Sequence, residues 1–275
     1  MNYRISGKFL KRIVLLFTVI ISLSMKAQAP IDTTYQLPYK EALHYRVYYK
    51  LGGIWVYAAF ANFKTDTVTF QNKKCYNLTV DAFTRKKYNW IYSLEDHYTS
   101  ITDINTFKPL KFKEYNIEKG VTYNNVYDFD WDKGEINILM SRSGKNNDTV
   151  RTTKKLPDFI TDSYSAVHYI RLWDFDQINI GDTLRYKTIL DGKIFDQEIV
   201  YHGKDFVKDS DGNKVEAFKL EALVRNSSFF RADKGIMVWV ANNKDRWIIV
   251  VDAKIIVGSI YVFLDQPGVA SFNRH

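Results

Sequence analysis

Two-residue alternation of apolar and polar positions runs through most of the chain. In LHYRVYYKL, Leu43, Tyr45, Val47, Tyr49 and Leu51 share one face, with His44, Arg46 and Lys50 opposite. Tyr76, Leu78, Val80 and Ala82 share a face in YNLTVDA, as do Tyr127, Phe129 and Trp131 in VYDFDW and Phe218, Leu220, Ala222 and Val224 in FKLEALV. Such runs predict antiparallel strands with one face buried. Turn signals part them: QNKK at 71–74, DKGE at 132–135, Asp191-Gly192 and SDGN at 210–213. Asp191-Gly192 joins DTLRYKTIL to KIFDQEIVY and predicts a two-residue hairpin, because a type I′ turn needs the positive φ that Gly supplies. The apolar tail from Gly235 to Asp265 reads as three strands broken at Asn242-Asn243 and near Asp252-Ala253, central in the sheet and covered on both faces.

One stretch follows another rhythm. ITDSYSAVHYIRLWDF predicts an amphipathic helix over about 162–174, with Thr161 or Asp162 at its N-cap. At about 100° per residue, Ala166, Val167, Ile170 and Trp173 form the core-facing stripe, and His168 points away from it, towards solvent or a groove. The expected fold is mainly β: one large curved antiparallel sheet, half-barrel-like or sandwich-like, carrying one helix. No repeat or linker divides residues 30–275, which read as a single β-rich domain with short disordered ends.

Composition agrees, since 16% aromatic residues suit a curved, ring-filled sheet. The first residues are read apart from that sheet. Arg4, Lys8, Lys11 and Arg12 precede an apolar run from Ile13 to Met25 and small residues at Ala27 and Ala29, the layout of a secretory signal peptide over 1–29. The run is shorter than the roughly 20 residues a spanning helix needs. Cleavage after Ala29 puts Pro30 behind the cut, whereas cleavage after Ala27 puts Met25 before it; both sites stay open. No Cys lies near that junction, which excludes lipid attachment of the bacterial lipoprotein type. The reading is a periplasmic or envelope protein, with membrane association peripheral at most.

Five Lys/Arg and no Asp/Glu fall in residues 1–29, so five of the eight net positive charges belong to that segment. The remainder is a mixed surface and excludes a nucleic-acid footprint. Cys75 is the only Cys, so no disulfide framework exists and Cys75 reads as a buried strand residue.

Candidate chemistry is sparse. Asp162, Ser165 and His168 resemble a hydrolytic set, but on a helix Asp162 lies about 9 Å along the axis from His168 and roughly 120° round it. It cannot orient an imidazole that Ser165 approaches. Asp96, His97 and Asp103 lack the spacing of a metal site and read as turn residues near the surface. Glu95 and Asp96 would face opposite ways on a strand. Tyr88, Trp90 and Tyr92 alternate in YNWIY and are either core rings or an aromatic platform for sugars or acyl chains. With His168 and Arg171 they are the candidate ligand-binding residues. No catalytic residue, metal or cofactor is assigned.

Three stretches together resemble the exported bacterial family known as domain of unknown function 3108, over roughly Tyr39 to Leu264. They are the opening pair LHYRVYYKLGGIWVYAAFANF, the run Asp162, Ser163, Ser165, Ala166 and Arg171, and the stretch from IGDTLRYKTILDGKIFDQEIVYHGK to VWVANNKDRWIIVVDAKIIVGSIYVFL. Ala58 and Ala59 stand where Gly is common in that family, and Trp247 where Pro is frequent. The resemblance implies an envelope protein with a long curved sheet and one helix, similar in spirit to the half-barrel carriers of lipoproteins. It implies no reaction and no catalytic residues. It makes Ser165-Ala166 a point of close helix–sheet approach and Arg171 a partner for a strand carboxylate.

The leading expectation is a non-enzymatic binder of an apolar or amphipathic envelope ligand, with lipid, glycan or an envelope protein as partner. The rivals are a periplasmic hydrolase, which needs two or more His, Asp or Glu side chains meeting in one cleft and is ruled against if His44, His97, His168 and His202 are scattered, and an integral outer-membrane barrel.

Overall fold

Alternation this regular leaves the backbone few choices, and nearly all of it becomes strand. The computed structural model describes residues 30–88, 90, 93–118, 120–144, 147–223 and 234–267. The first half of the chain forms β1 (Glu41–Leu51), β2 (Ile54–Phe70), β3 (Lys73–Thr84), β4 (Leu94–Asp103), β5 (Pro109–Glu118), β6 (Val121–Asp130), β7 (Glu135–Ser143) and β8 (Asp148–Lys155). A short β9 (Thr161–Asp162), helix α1 (Ser165–Tyr169) and a 3-10 turn (Ile170–Leu172) follow. The second half forms β10 (Thr183–Leu190), β11 (Lys193–Lys208), β12 (Lys214–Ala222), β13 (Ile236–Ala241), β14 (Ile248–Lys254) and β15 (Ser259–Pro267).

All fifteen strands belong to one sheet, in the order β8-β7-β6-β5-β4-β3-β2-β1-β15-β14-β13-β12-β11-β10-β9. The first and last strands therefore meet in the middle, with β1 paired to both β2 and β15. Every pairing is antiparallel except β9 with β10. The apolar tail does occupy the centre. Val250 sits between Trp239 and Phe263 in the register, so rings cover that side of β14 as well.

The sheet curls until its far ends touch through side chains. Asp191 and Gly192 both adopt positive φ, as the hairpin requires. At this tip the Gly192 N–H donates to the Tyr127 hydroxyl at 2.9 Å. A Cβ on Gly192 would stand 3.0 Å from the Met140 sulfur, so the two ends pack closely here. The inner face is filled by Tyr76, Leu78, Phe112, Tyr127, Ile136 and Leu220, all fully buried. Each such side chain contributes about 1.5–3 kcal/mol of burial. Alternate positions point outward and carry ion pairs, including Lys111–Asp128 at 2.6 Å, Arg185–Glu198 at 2.9 Å and Lys187–Asp196 at 2.5 Å.

Two expectations need correction. The break expected near Asp252-Ala253 falls instead at Ile255–Gly258, because Asp252 pairs with Tyr261 and Ala253 with Ile260 inside the ladder. Asp252 is there an outward charge bonded to Lys254 at 2.9 Å, not a turn former. Gly258, at φ +86, makes the turn, and a Cβ there would meet the Lys50 carbonyl at 2.4 Å.

The helix is shorter than expected, five α residues and one 3-10 turn, and Trp173 is already extended. It lies inside the curl of the sheet, so it has no solvent side of the expected kind. Ile170 and Trp173 are buried as predicted, but Ala166 and Val167 are half-buried, whereas Ser165 and His168 are fully enclosed. The Asp162 carboxylate does the capping, accepting the Tyr164 N–H at 2.9 Å and the Ser165 N–H at 2.7 Å. Tyr164 occupies the cap position itself.

Candidate binding groove on the concave face

The alternation that fills the inner face also varies its side-chain volume. Ala61 on β2 and Ala82 on β3 are small, and beside them Val47, Val80 and Val262 present only branched stubs. The result is an open, apolar groove of about 370 Å³, floored by Phe63, Tyr98, Ser163 and Tyr164 and edged by Leu190 of the β10–β11 tip. That volume lies within the ordinary range for small-molecule sites. Tyr164 is fixed as floor because its hydroxyl donates to the Thr79 carbonyl at 2.9 Å. Another space of about 490 Å³ crosses β6–β8, lined by Val126, Ile138 and Leu139 together with Asp128, Asn137, Arg151 and Thr153.

One side of the groove is acidic. Asp96 pairs with Ala82 across β3 and β4, on the same face as Tyr98. The Tyr98 hydroxyl donates to Asp96 at 3.4 Å and accepts from Asn116 at 3.1 Å. Asn116 and Asn125 both donate to Glu114, at 2.5 and 2.9 Å. Burial, reinforced by the charge of Glu114, pushes Asp96 up to about 6, and burial raises Glu114 as well. A guest with an apolar body and a hydrogen-bond-donating or cationic head fits this wall.

Asp96 makes stability pH-dependent in a definite direction. The folded carboxyl holds its proton up to about 6, whereas the unfolded one releases it near 3.8. Between those values the folded state binds the extra proton, so this contribution improves as pH falls from 7 towards 4. Asp96→Asn is expected to stabilise the protein at pH 7 by about 1 kcal/mol, after allowance for solvent screening, and to make no difference at pH 4. Thermal melts of both proteins at the two pH values check this. Equal melting temperatures at pH 7 would contradict it.

Beneath the groove, α1 is held by a buried latch. Arg171 makes two parallel bonds to Glu41 of β1, at 2.7 and 2.8 Å. Its Nε and Nη2 donate to the carbonyls of Arg246 and Asp245 in the β13–β14 turn, at 3.0 and 2.8 Å. The Trp247 indole donates to the second Glu41 oxygen at 2.8 Å. Burial alone would lower Arg171, yet the bonds it donates to Glu41 and the charge of that carboxylate outweigh burial and hold the guanidinium charged. Arg246 returns the connection, donating to the Trp173 carbonyl at 3.0 Å and to Asp32 at 2.5 Å.

The sequence-predicted residues fare unequally. Arg171 does find a strand carboxylate, but it is buried beneath the groove and lines no part of it. His168 is 2% exposed rather than solvent- or groove-facing. Its Nδ1 accepts from Arg171 at 3.3 Å, and its ring packs edge-on to Tyr164. Burial first, then the Arg171 charge, drives its pKa far down, so His168 is neutral. Tyr88 and Trp90 do not lie on a strand. Tyr88 ends a 3-10 turn, Trp90 lies in a turn at 83% exposure, and Tyr92 falls outside the described residues, as do residues 1–29. The 3-10 turn Lys86–Tyr88 stands where three aromatic letters alone predict a strand.

Asp162, Ser165 and His168 do not form a relay. The Asp162 carboxylate accepts from Ser100 at 2.5 Å, and the Ser165 hydroxyl accepts the Asp162 N–H at 3.0 Å. Asp96, His97 and Asp103 lie on β4 rather than in a turn, although Asp103 ends that strand and accepts the N–H groups of Asn105 and Thr106. Glu95 and Asp96 do face opposite ways, with Glu95 and Asp81 holding His97 on the other face from Asp96. Cys75 is buried on β3, with its thiol pushed up by burial. Among the described residues, no cluster of three His, Cys, Asp or Glu side chains is placed to hold a metal ion. His44 meets Asn62, His97 meets Asp81 and Glu95, and His202 meets Glu221, so the imidazoles are dispersed over the sheet. Sequence reasoning missed Glu41, Asp245 and Trp247, whose departure from the frequent Pro was the one signal available.

No curated protein matches the chain. Among solved structures, the fold is similar to the crystal structure of a beta-barrel-like protein of domain of unknown function DUF1849 from Brucella abortus. The TM-score is 0.51 at 7% identity, covering 86% of this chain and all of that one, which is a likeness of fold alone. The sequence profile described as "Protein of unknown function (DUF3108)" matches residues 44–265, most of the length, and the chain belongs to that family.

Proposed function

We propose that this is a non-enzymatic binding or carrier module of the cell envelope, holding an apolar or amphipathic guest in the concave groove. The observation that carries the reading is the open space over Ala61 and Ala82, walled by aliphatic and aromatic side chains, with the carboxyls of Asp96 and Glu114 flanking its Tyr98 wall. An acyl chain suits those walls better than a glycan, which would need many more hydrogen-bonding groups along them. The basic and apolar leader at 1–29 supports export. Dispersed imidazoles weigh against the hydrolase alternative. Outward ion pairs such as Lys187–Asp196 weigh against an integral barrel, whose outer band must suit lipid.

Organic extraction of the purified protein followed by mass spectrometry is expected to recover an acyl-chain compound in near-stoichiometric amount. Added dodecylamine or monolaurin, whose heads can donate hydrogen bonds to the carboxyl wall, at about a hundredfold the dissociation constant, is expected to stabilise the delipidated protein by about 2.7 kcal/mol. A protein that yields no such compound and melts at one temperature with or without these additives is not this carrier.

A further inference from the structure

We propose that one rim of the curled sheet is a docking surface for lipid bilayers bearing anionic headgroups. Successive connections of an antiparallel meander lie at alternate ends. The β1–β2 turn, the β3–β4 loop and the β14–β15 turn therefore share one end. They also touch: the Tyr49 hydroxyl donates to the Val257 carbonyl at 3.1 Å, the Trp55 and Tyr261 rings are 4.7 Å apart, and the Arg85 N–H donates to the Ala58 carbonyl at 2.9 Å.

Along this continuous edge large apolar side chains stand exposed together. Ile54 is 68% exposed, Ile256 66%, Val257 59% and Trp90 83%. Large apolar side chains grouped at loop tips need an apolar partner. The accompanying charge is of one sign. Segments 49–57, 85–90 and 254–259 contain Lys50, Arg85, Lys86, Lys87 and Lys254 and no Asp or Glu, though Lys254 is paired with Asp252 of the neighbouring stretch. Lys50 lies 4.6 Å over the Trp55 ring and Arg85 4.3 Å over Tyr57, cation beside amphipathic ring. Aliphatic tips that enter the acyl region, Trp and Tyr at headgroup depth and Lys or Arg meeting anionic lipid are the elements of an interfacial surface. Charge complementarity selects an anionic bilayer over a neutral one.

This inference rests on residues other than those of the groove and stands or falls separately from the carrier reading. The groove lies about four strand residues from the same edge, roughly 13 Å, so docking would bring its mouth to the lipid.

The test is co-sedimentation of the full chain with vesicles of phosphatidylcholine alone and of phosphatidylcholine with phosphatidylglycerol. The wild type is expected to pellet at least fivefold more with the anionic vesicles. Combined Ile54→Ser, Ile256→Ser and Val257→Ser substitutions are expected to reduce that to background, and Lys86→Glu with Lys87→Glu to abolish the preference for phosphatidylglycerol. All the substituted side chains lie at the rim, and circular dichroism melts should match the wild type. Failure of the wild type to bind either vesicle, or undiminished binding by both variants, overturns the proposal.

Discussion

Replacing Arg171 with methionine is expected to cost the fold about 3–5 kcal/mol and to lower the melting temperature by about 10 °C. The guanidinium is 2% exposed and is spent entirely on Glu41, two turn carbonyls and the neutral ring of His168. Without it, the Glu41 carboxylate remains buried with the Trp247 indole as its main donor, an uncompensated charge in a poor dielectric. The double variant Glu41→Leu, Arg171→Met removes both charges and is expected to recover most of the loss, because an apolar pair avoids the desolvation penalty. That non-additivity separates the ion pair from simple packing. A single-variant loss below 1 kcal/mol, or a double variant no better than the single, would show that the latch does not hold α1 in place.

The latch matters to function through position. Arg171 joins β1, the 3-10 turn that follows α1 and the β13–β14 turn, and the Ser163–Tyr164 floor of the groove leads directly into α1. Acid acts on the same region with opposite signs. His168 stays neutral in the fold but charges near its ordinary 6.5 when unfolded, so its contribution weakens as pH falls below that value, while that of Asp96 improves.

The strand rhythm was legible because a face buried along its length needs only local alternation, as Tyr76, Leu78, Val80 and Ala82 show. The Asp191-Gly192 hairpin was legible because its backbone chemistry is confined to two residues. Misreadings arose where the environment comes from distant chain. His168 looks outward on a helical wheel, but the sheet curls around α1 and encloses it. Glu41 and Arg171 are 130 residues apart, and only the meeting of the first strand with the last places the β13–β14 turn beside them. Asp252 resembled a turn marker because periodicity cannot tell an outward strand charge from a loop. The curvature of the sheet was legible, but the place of the groove was not. Its volume depends on two alanines coming side by side in register, Ala61 opposite Ala82.

The same register offers the sharpest test. Ala82→Phe would project a ring into the 370 Å³ groove while leaving the latch and the outer face untouched. A ring there fills space otherwise open to a guest, so the cost falls on binding rather than on core packing. The decisive measurement is fluorescence titration of the delipidated protein with N-phenyl-1-naphthylamine, wild type against Ala82→Phe at matched folded content. Saturable enhancement with the wild type and at least tenfold weaker binding by the variant is the predicted result. Equal titration curves for the two proteins, or no enhancement with either, would contradict the claim that this sheet curls around a guest.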